Sequence, residues 1–127
     1  MTERSSVQRA QPDLHDAPSM GELVAAVREF LEGDVMGATD GRVRFHARVA
    51  ANALSIVERE LALGDGQRAA HADALARLGV ADEAELAAAI RSGRLDDRND
   101  DVVAAVRSSV RAKLEVANPS YLDGPPA

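Results

Sequence analysis

The chain has 127 residues, 46% of them hydrophobic, a net charge of −6 and no cysteine. That length makes one domain with ample material for a core, and the missing thiols exclude disulfides, a cysteine nucleophile and zinc–thiolate sites. The acidic balance lacks the basic field that displaces counterions from phosphates or attracts anionic lipid, so neither nucleic acid nor a membrane surface is an expected partner.

Residues 1–18 are polar, carry Pro12 and Pro18, and show no apolar period, so they read as a flexible tail. They also lack the apolar stretch of a secretory signal, and no run in the chain is long and apolar enough to span a bilayer. A soluble cytoplasmic protein is therefore expected. Ser19 and Glu22 form the S-x-x-E pattern of a capping box ahead of Leu23, Val24, Val27, Phe30 and Leu31. This predicts a first helix from Met20 to Glu32, extending as far as Val35. Gly33, Gly37 and Gly41, with Asp34 and Asp40, mark a link.

Gly41 to Leu63 then runs without proline or internal glycine and predicts one long helix. On a helical projection His46, Val49, Ala50, Ala53, Val57 and Leu61 share one face, which reads as a core seam. Beside it lie Phe45, Arg48, Asn52, Ile56, Arg59 and Leu63. An aromatic, two arginines and an amide at steps of three or four residues suit neither a dry core nor a solvated face. A partner surface accommodates the mixture, because aromatic and arginine side chains are favoured interface anchors. The plainer reading has Arg48 and Asn52 tying this helix to a neighbouring helix end or loop. His46 reads either as a half-buried histidine bonded to a carbonyl or carboxylate, or as part of that partner surface.

Gly64-Asp65-Gly66 is expected to end the long helix. Gln67 to Leu78 is helical in pattern and closes on Gly79. Asp82 suits the cap of a helix from Glu83 to Ser92, with Leu86 and Ile90 on one face and Gly93 at its end. Residues 95–101, LDDRNDD, form an acidic connection, and Asn99 or Asp100 suits the cap of a last helix. There Val103, Val106, Val110 and Leu114 make an apolar seam, stopped at Asn118-Pro119. Tyr121 and Leu122 are placed to fold back, and residues 123–127 are a loose tail. No stretch alternates with period two for long enough to be a strand. The expected architecture is one all-α domain over residues 19–122, a four- to five-helix bundle with one long central helix.

The chain has neither a GxxxxGK[ST] loop nor a GxGxxG loop, and its single lysine, Lys113, lies on the last helix. Asp96, Asp97, Asp100 and Asp101 lack the spacing and closing glutamate of a calcium loop and read as solvated, helix-capping carboxylates. His15, His46 and His71 do not fall at zinc-ligand spacing. Residues 75–93 superficially suggest helix-turn-helix, but the second helix begins DEAE, the wrong charge to meet a phosphate backbone. Neither a catalytic residue nor a metal site is assigned.

Three runs carry a resemblance: LVAAVREFLEGDV (23–35), GRVRFHARVAANALSIVEREL (41–61) and VRAKLEVANPSYL (110–122). Together they resemble a family of small bacterial domains of unknown function. Its members are commonly encoded beside an aminoglycoside-phosphotransferase-like kinase and an acyl-CoA dehydrogenase. FHARVAAN (Phe45 to Asn52) and AKLEVANPSYL (Ala112 to Leu122) are the most specific parts, while residues 64–100 match weakly. The resemblance implies an accessory role without a cofactor. Relatives in hydroxy-acid breakdown, such as the levulinate pathway, work with a kinase that phosphorylates a hydroxyacyl-CoA, after which an acyl-CoA-dehydrogenase-like enzyme eliminates phosphate. On that resemblance the chain is a partner subunit of the kinase, with the dehydrogenase as a second candidate partner and a homo-oligomer as a further option. The residues put forward for partner binding are Phe45, His46, Arg48, Asn52, Ile56 and Arg59. The alternative is a self-associating helical domain with a structural role and no dedicated enzyme partner.

Overall fold

A computed structural model describes residues 17–124. The chain is all-α, as expected, with one long helix: α1 (Met20–Phe30), α2 (Gly41–Arg77), α3 (Glu83–Arg91) and α4 (Asn99–Ala117), with no strand among the described residues. The chain divides into two compact units, Met1–Glu58 and Arg59–Ala127, so α2 begins in the first and ends in the second. Most of the tail expected at residues 1–18, and residues 125–127, lie outside the described residues.

In the first unit the capping box forms as its sequence pattern predicts. The Glu22 amide donates to Ser19 Oγ at 3.1 Å, and the Ser19 amide donates to Glu22 Oε1 at 2.9 Å. Those bonds hold the Glu22 carboxyl below its ordinary pKa, the backbone one most strongly. After Phe30 the helix widens into a π turn at Leu31–Val35 and resumes over Met36–Ala38. The expected link is therefore shorter than the glycines suggested. Gly33 and Gly37 stay helical, and Thr39 ends the run in extended conformation, its hydroxyl donating to the Val35 carbonyl at 2.6 Å. Gly41 opens α2 with φ of +55°, a turn only glycine makes without strain.

The face of α2 that meets α1 is not the predicted seam. Arg28 on α1 donates from Nε to Glu58 Oε2 at 2.7 Å. Glu58 shares its helix face with Ala47 and Ala51, which are the buried side chains among the described residues of this unit. Of the predicted seam only Ala50 is half-buried, while His46, Val49, Ala53, Val57 and Leu61 are exposed. The sequence is apolar around much of the helix, so hydrophobicity alone did not choose a side. Small alanines that let two axes approach, beside one ion pair, define it instead.

The second unit has a core of larger side chains: Leu75, Leu78, Val80, Leu86, Leu95 and Val102, with Ala89. Three helix boundaries there follow the sequence. The Asp82 carboxylate accepts the Glu85 amide at 2.8 Å. Gly79 (φ +75°) and Gly93 (φ +80°) each close a helix in the left-handed conformation, with the next amide reaching back to Leu75 and Ala89 respectively. Two boundaries differ. Neither Asn99 nor Asp100 caps α4, because a 3₁₀ turn at Asp96–Arg98 feeds straight into it with Arg98 at the cap position and no side-chain bond there. On α4 the buried position is Val102, with Ala105, Ser109 and Ala112 half-buried beside it. The predicted seam of Val103, Val106 and Val110 is exposed, and only Leu114 is half-buried. Beyond it, a 3₁₀ turn at Pro119–Asp123 leaves Leu122 half-buried and Tyr121 exposed.

The largest departure is at Gly64-Asp65-Gly66, where α2 does not stop. Both glycines keep negative φ. Two glycines cost a helix interior about 2 kcal/mol relative to alanine. Against that penalty stands one tertiary bond, Gln67 Nε2 donating to the Ala112 carbonyl at 2.9 Å, and beside it an exposed pair within the helix, Arg68 with Asp65 at 2.6 Å.

This continuity makes an opposed pair of predictions. A Cβ added at Gly66 meets nothing within 4 Å. Gly66→Ala should therefore stabilise the chain by about 0.5–1 kcal/mol, a gain of a few degrees in Tm. Gly79→Ala should lower Tm, since its φ is left-handed. Thermal unfolding followed by circular dichroism checks both, and a loss of stability in Gly66→Ala would mean that the helix breaks there.

Candidate partner surface

The mixed stripe predicted on the long helix falls in two places. Phe45, His46, Arg48, Asn52 and Ile56 belong to the first unit, where all five are exposed. Phe45 is 59% and Ile56 37% exposed, high for side chains of that size. The Phe45 and His46 rings meet edge to face, with centroids 5.5 Å apart, so the imidazole shields one edge of the phenyl ring. His46 is thus on the surface, and the half-buried reading does not hold. Arg48 and Asn52 make no side-chain hydrogen bond among the described residues. They lie one position after Ala47 and Ala51, about 100° around the helix from the side that meets α1.

Arg59 belongs to the second unit and has a different occupation. Its Nε donates to the carbonyl of Val116 at 2.7 Å. That carbonyl lies in the last turn of α4, where helical carbonyls have no partner further along the chain. A guanidinium there satisfies an orphan acceptor and complements the negative end of the helix dipole. The plainer reading of the stripe, a side chain tied to a helix end, thus describes Arg59 and not Arg48 or Asn52. No sequence signal separated the three, because the acceptor lies on a distant segment.

The second unit also carries a groove of about 760 Å³ beside the later part of α2 and α4, lined by Leu63, Gly64, Gln67, His71, Ser109 and Ala112 among others. Small residues open it. At one end His71 Nε2 lies 3.1 Å from Glu83 Oε1. Asp96, Asp97, Asp100 and Asp101 surround the 3₁₀ turn before α4, and Arg98 reaches Asp101 at 3.2 Å. No group of three histidine, aspartate or glutamate side chains gathers as a cation cage among the described residues. No helix among them is long and apolar enough to cross a membrane.

Helices, an aromatic–arginine stripe and an open groove place the chain among small all-α domains. It belongs to the family described as Domain of unknown function (DUF6285), whose model matches residues 37–121, well over half of the chain. No curated protein and no solved structure matches it.

The two arginines should separate experimentally. Arg59→Met removes a charge-assisted bond and leaves the Val116 carbonyl short of a donor, a cost of about 1.5–3 kcal/mol. Arg48→Ala touches no partner and should stay within about 0.5 kcal/mol of the parent. Urea unfolding of both variants tests the assignment, and equal stabilities would remove Arg59 from its structural role.

Proposed function

We propose that this chain is a non-catalytic accessory subunit of an aminoglycoside-phosphotransferase-like kinase that acts on a hydroxyacyl-CoA in acid catabolism, working in the cytoplasm. The observation that carries the reading is the exposure of Phe45, Arg48, Asn52 and Ile56 on one helix, with neither polar side chain bonded among the described residues. Phenyl and alkyl groups flanking an arginine and an amide suit a protein partner. The apolar groups supply area, and the guanidinium pairs bidentately with a carboxylate. Phe45, Arg48 and Asn52 lie in FHARVAAN, one of the two most specific parts of the resemblance, and all four residues, Ile56 included, fall inside the family match. The acyl-CoA dehydrogenase that follows the kinase is a second candidate for the same surface.

In this reading the kinase brings the nucleotide site and the chemistry, and the small subunit brings a docking face. Phe45, His46, Arg48, Asn52 and Ile56 are the contact residues; Arg59 supports the fold. The alternative, a self-associating structural domain with no dedicated enzyme partner, draws on the wider set of exposed apolar side chains. Co-purification tells the two apart.

Co-expression with the adjacent kinase should recover a complex on affinity purification. Arg48→Ala or Asn52→Ala should weaken it by about 2 kcal/mol, roughly thirty-fold in affinity, while Tm is preserved. Unchanged co-purification in both variants, or a sharp fall of Tm in both, would remove the stripe from the interface. Failure of the parent chain to bind the kinase would remove the function.

A further inference from the structure

A second face of the first unit stands apart from the stripe above. On α1 the half-buried side toward α2 carries Val24, Arg28 and Leu31. Leu23, Val27 and Phe30 each sit one residue earlier, about 100° around the helix, and all three are exposed. On α2 the side toward α1 carries Ala47, Ala51, Leu54 and Glu58. His46, Ala50, Ala53 and Val57 each sit one residue earlier in the same way, with Val43 continuing their row. The chain reverses at Thr39–Asp40, so the two helices run antiparallel. Equal rotations against the chain direction about two antiparallel axes point to the same side of the pair. The two rows therefore form one continuous face, opposite the side of Arg48 and Asn52.

Between Met20 and Phe30 and between Val43 and Val57 these two rows contain no aspartate, glutamate, lysine or arginine, although the chain as a whole carries a charge of −6; Asp34, one residue before the half-buried Val35, continues the α1 row at the end near the turn. Met20, Leu23, Val27, Phe30, Val43 and Val57 on this face are between 40% and 67% exposed. Allowing about 200 Å² for a large apolar residue fully exposed, they leave on the order of 600 Å² per copy. Two copies would cover about 1,200 Å², the lower end of the range for stable specific interfaces. An uncharged patch meets no electrostatic penalty against itself, and a two-fold contact requires only that one patch be self-complementary.

We infer that this face is a homodimer interface, in which the α1–α2 pairs of two copies close a four-helix layer around Leu23, Val27, Phe30, Val43, Ala50 and Val57. The charge-free face meets its own copy, and the opposite side stays open to the kinase. The second copy supplies a buried cluster of large side chains, which the described residues of the first unit do not form by themselves.

The full chain, without any kinase, should show by light scattering or sedimentation a mass twice the 13.4 kDa of one chain at micromolar concentration. Val27→Glu and Val57→Glu should each bring it to the single-chain mass with helical content retained, whereas Asn52→Glu on the other side should leave the dimer intact. Because the chain is free of cysteine, Ala50→Cys gives a test that does not depend on a charge. It should form a covalent dimer on oxidation, and Asn52→Cys should not. A single-chain mass at every concentration would overturn the inference. So would a dimer insensitive to both glutamates, or equal crosslinking at both cysteines. No kinase enters the measurement, so its outcome and that of the subunit reading are separate.

Discussion

Ala47 and Ala51 form the buried contact of the first unit, and Arg28 fixes it by donating to Glu58 beside them and to Glu32 one turn along its own helix. Alanine has no bulk to hold two helices apart. The pair of carboxylates, Glu58 foremost, raises the pKa of the Arg28 guanidinium and keeps its charge satisfied where it is half-buried. The inner face carries these alanines and the ion pair with half-buried Val24, Leu31 and Leu54, and Leu23, Val27, Phe30, Val43 and Val57 are left exposed. Burial of apolar area is the main favourable term in folding. A unit that leaves Leu23, Val27, Phe30 and Val57 in water therefore has stability to gain from a partner that covers them.

The second unit contrasts with it. Leu75, Leu78, Val80, Leu86, Leu95 and Val102 close on one another there, and α2 and α3 end on left-handed glycines whose following amides reach back along the helix. Arg59 and Gln67 on α2 each hold a backbone carbonyl of α4. These bonds attach side chains to main chain, so they fix helix position without demanding a matching side chain. They also flank Gly64 and Gly66, through which α2 passes. The two units thus differ: the second has a buried core of large side chains, and the described residues of the first leave two exposed faces of different chemistry.

Local signals were legible in the sequence where both partners lie within a few residues. Ser19 and Glu22, Asp82 and its amide, and the stops at Gly79 and Gly93 are of this kind. The exposed stripe with Phe45, Arg48, Asn52 and Ile56 was also legible, as a mixture that fits neither core nor solvent. Which side of a helix is buried was not. Ala51 and Val57 are both apolar positions of one helix, and the buried side is marked by alanines beside an ion pair whose Arg28 partner lies 30 residues away. The sequence also marked Gly64 and Gly66 as a stop like Gly79, but they keep negative φ inside the helix while Gly79 turns left-handed. Arg59 and Arg48 were indistinguishable for the same reason: the Val116 carbonyl is far away in sequence.

A second copy covering the first unit would stabilise that unit and leave the Leu75–Val102 core of the second as it is. Hydrogen–deuterium exchange of the full chain, resolved by segment and measured from dilute to concentrated protein, tests this directly. Local protection reports the free energy of opening each segment. Amides across Leu23–Phe30 and Val43–Val57 should become more protected as concentration rises, while those around Leu75, Leu86 and Val102 keep the same protection throughout. Protection in the first unit that equals the second at every concentration would contradict the account.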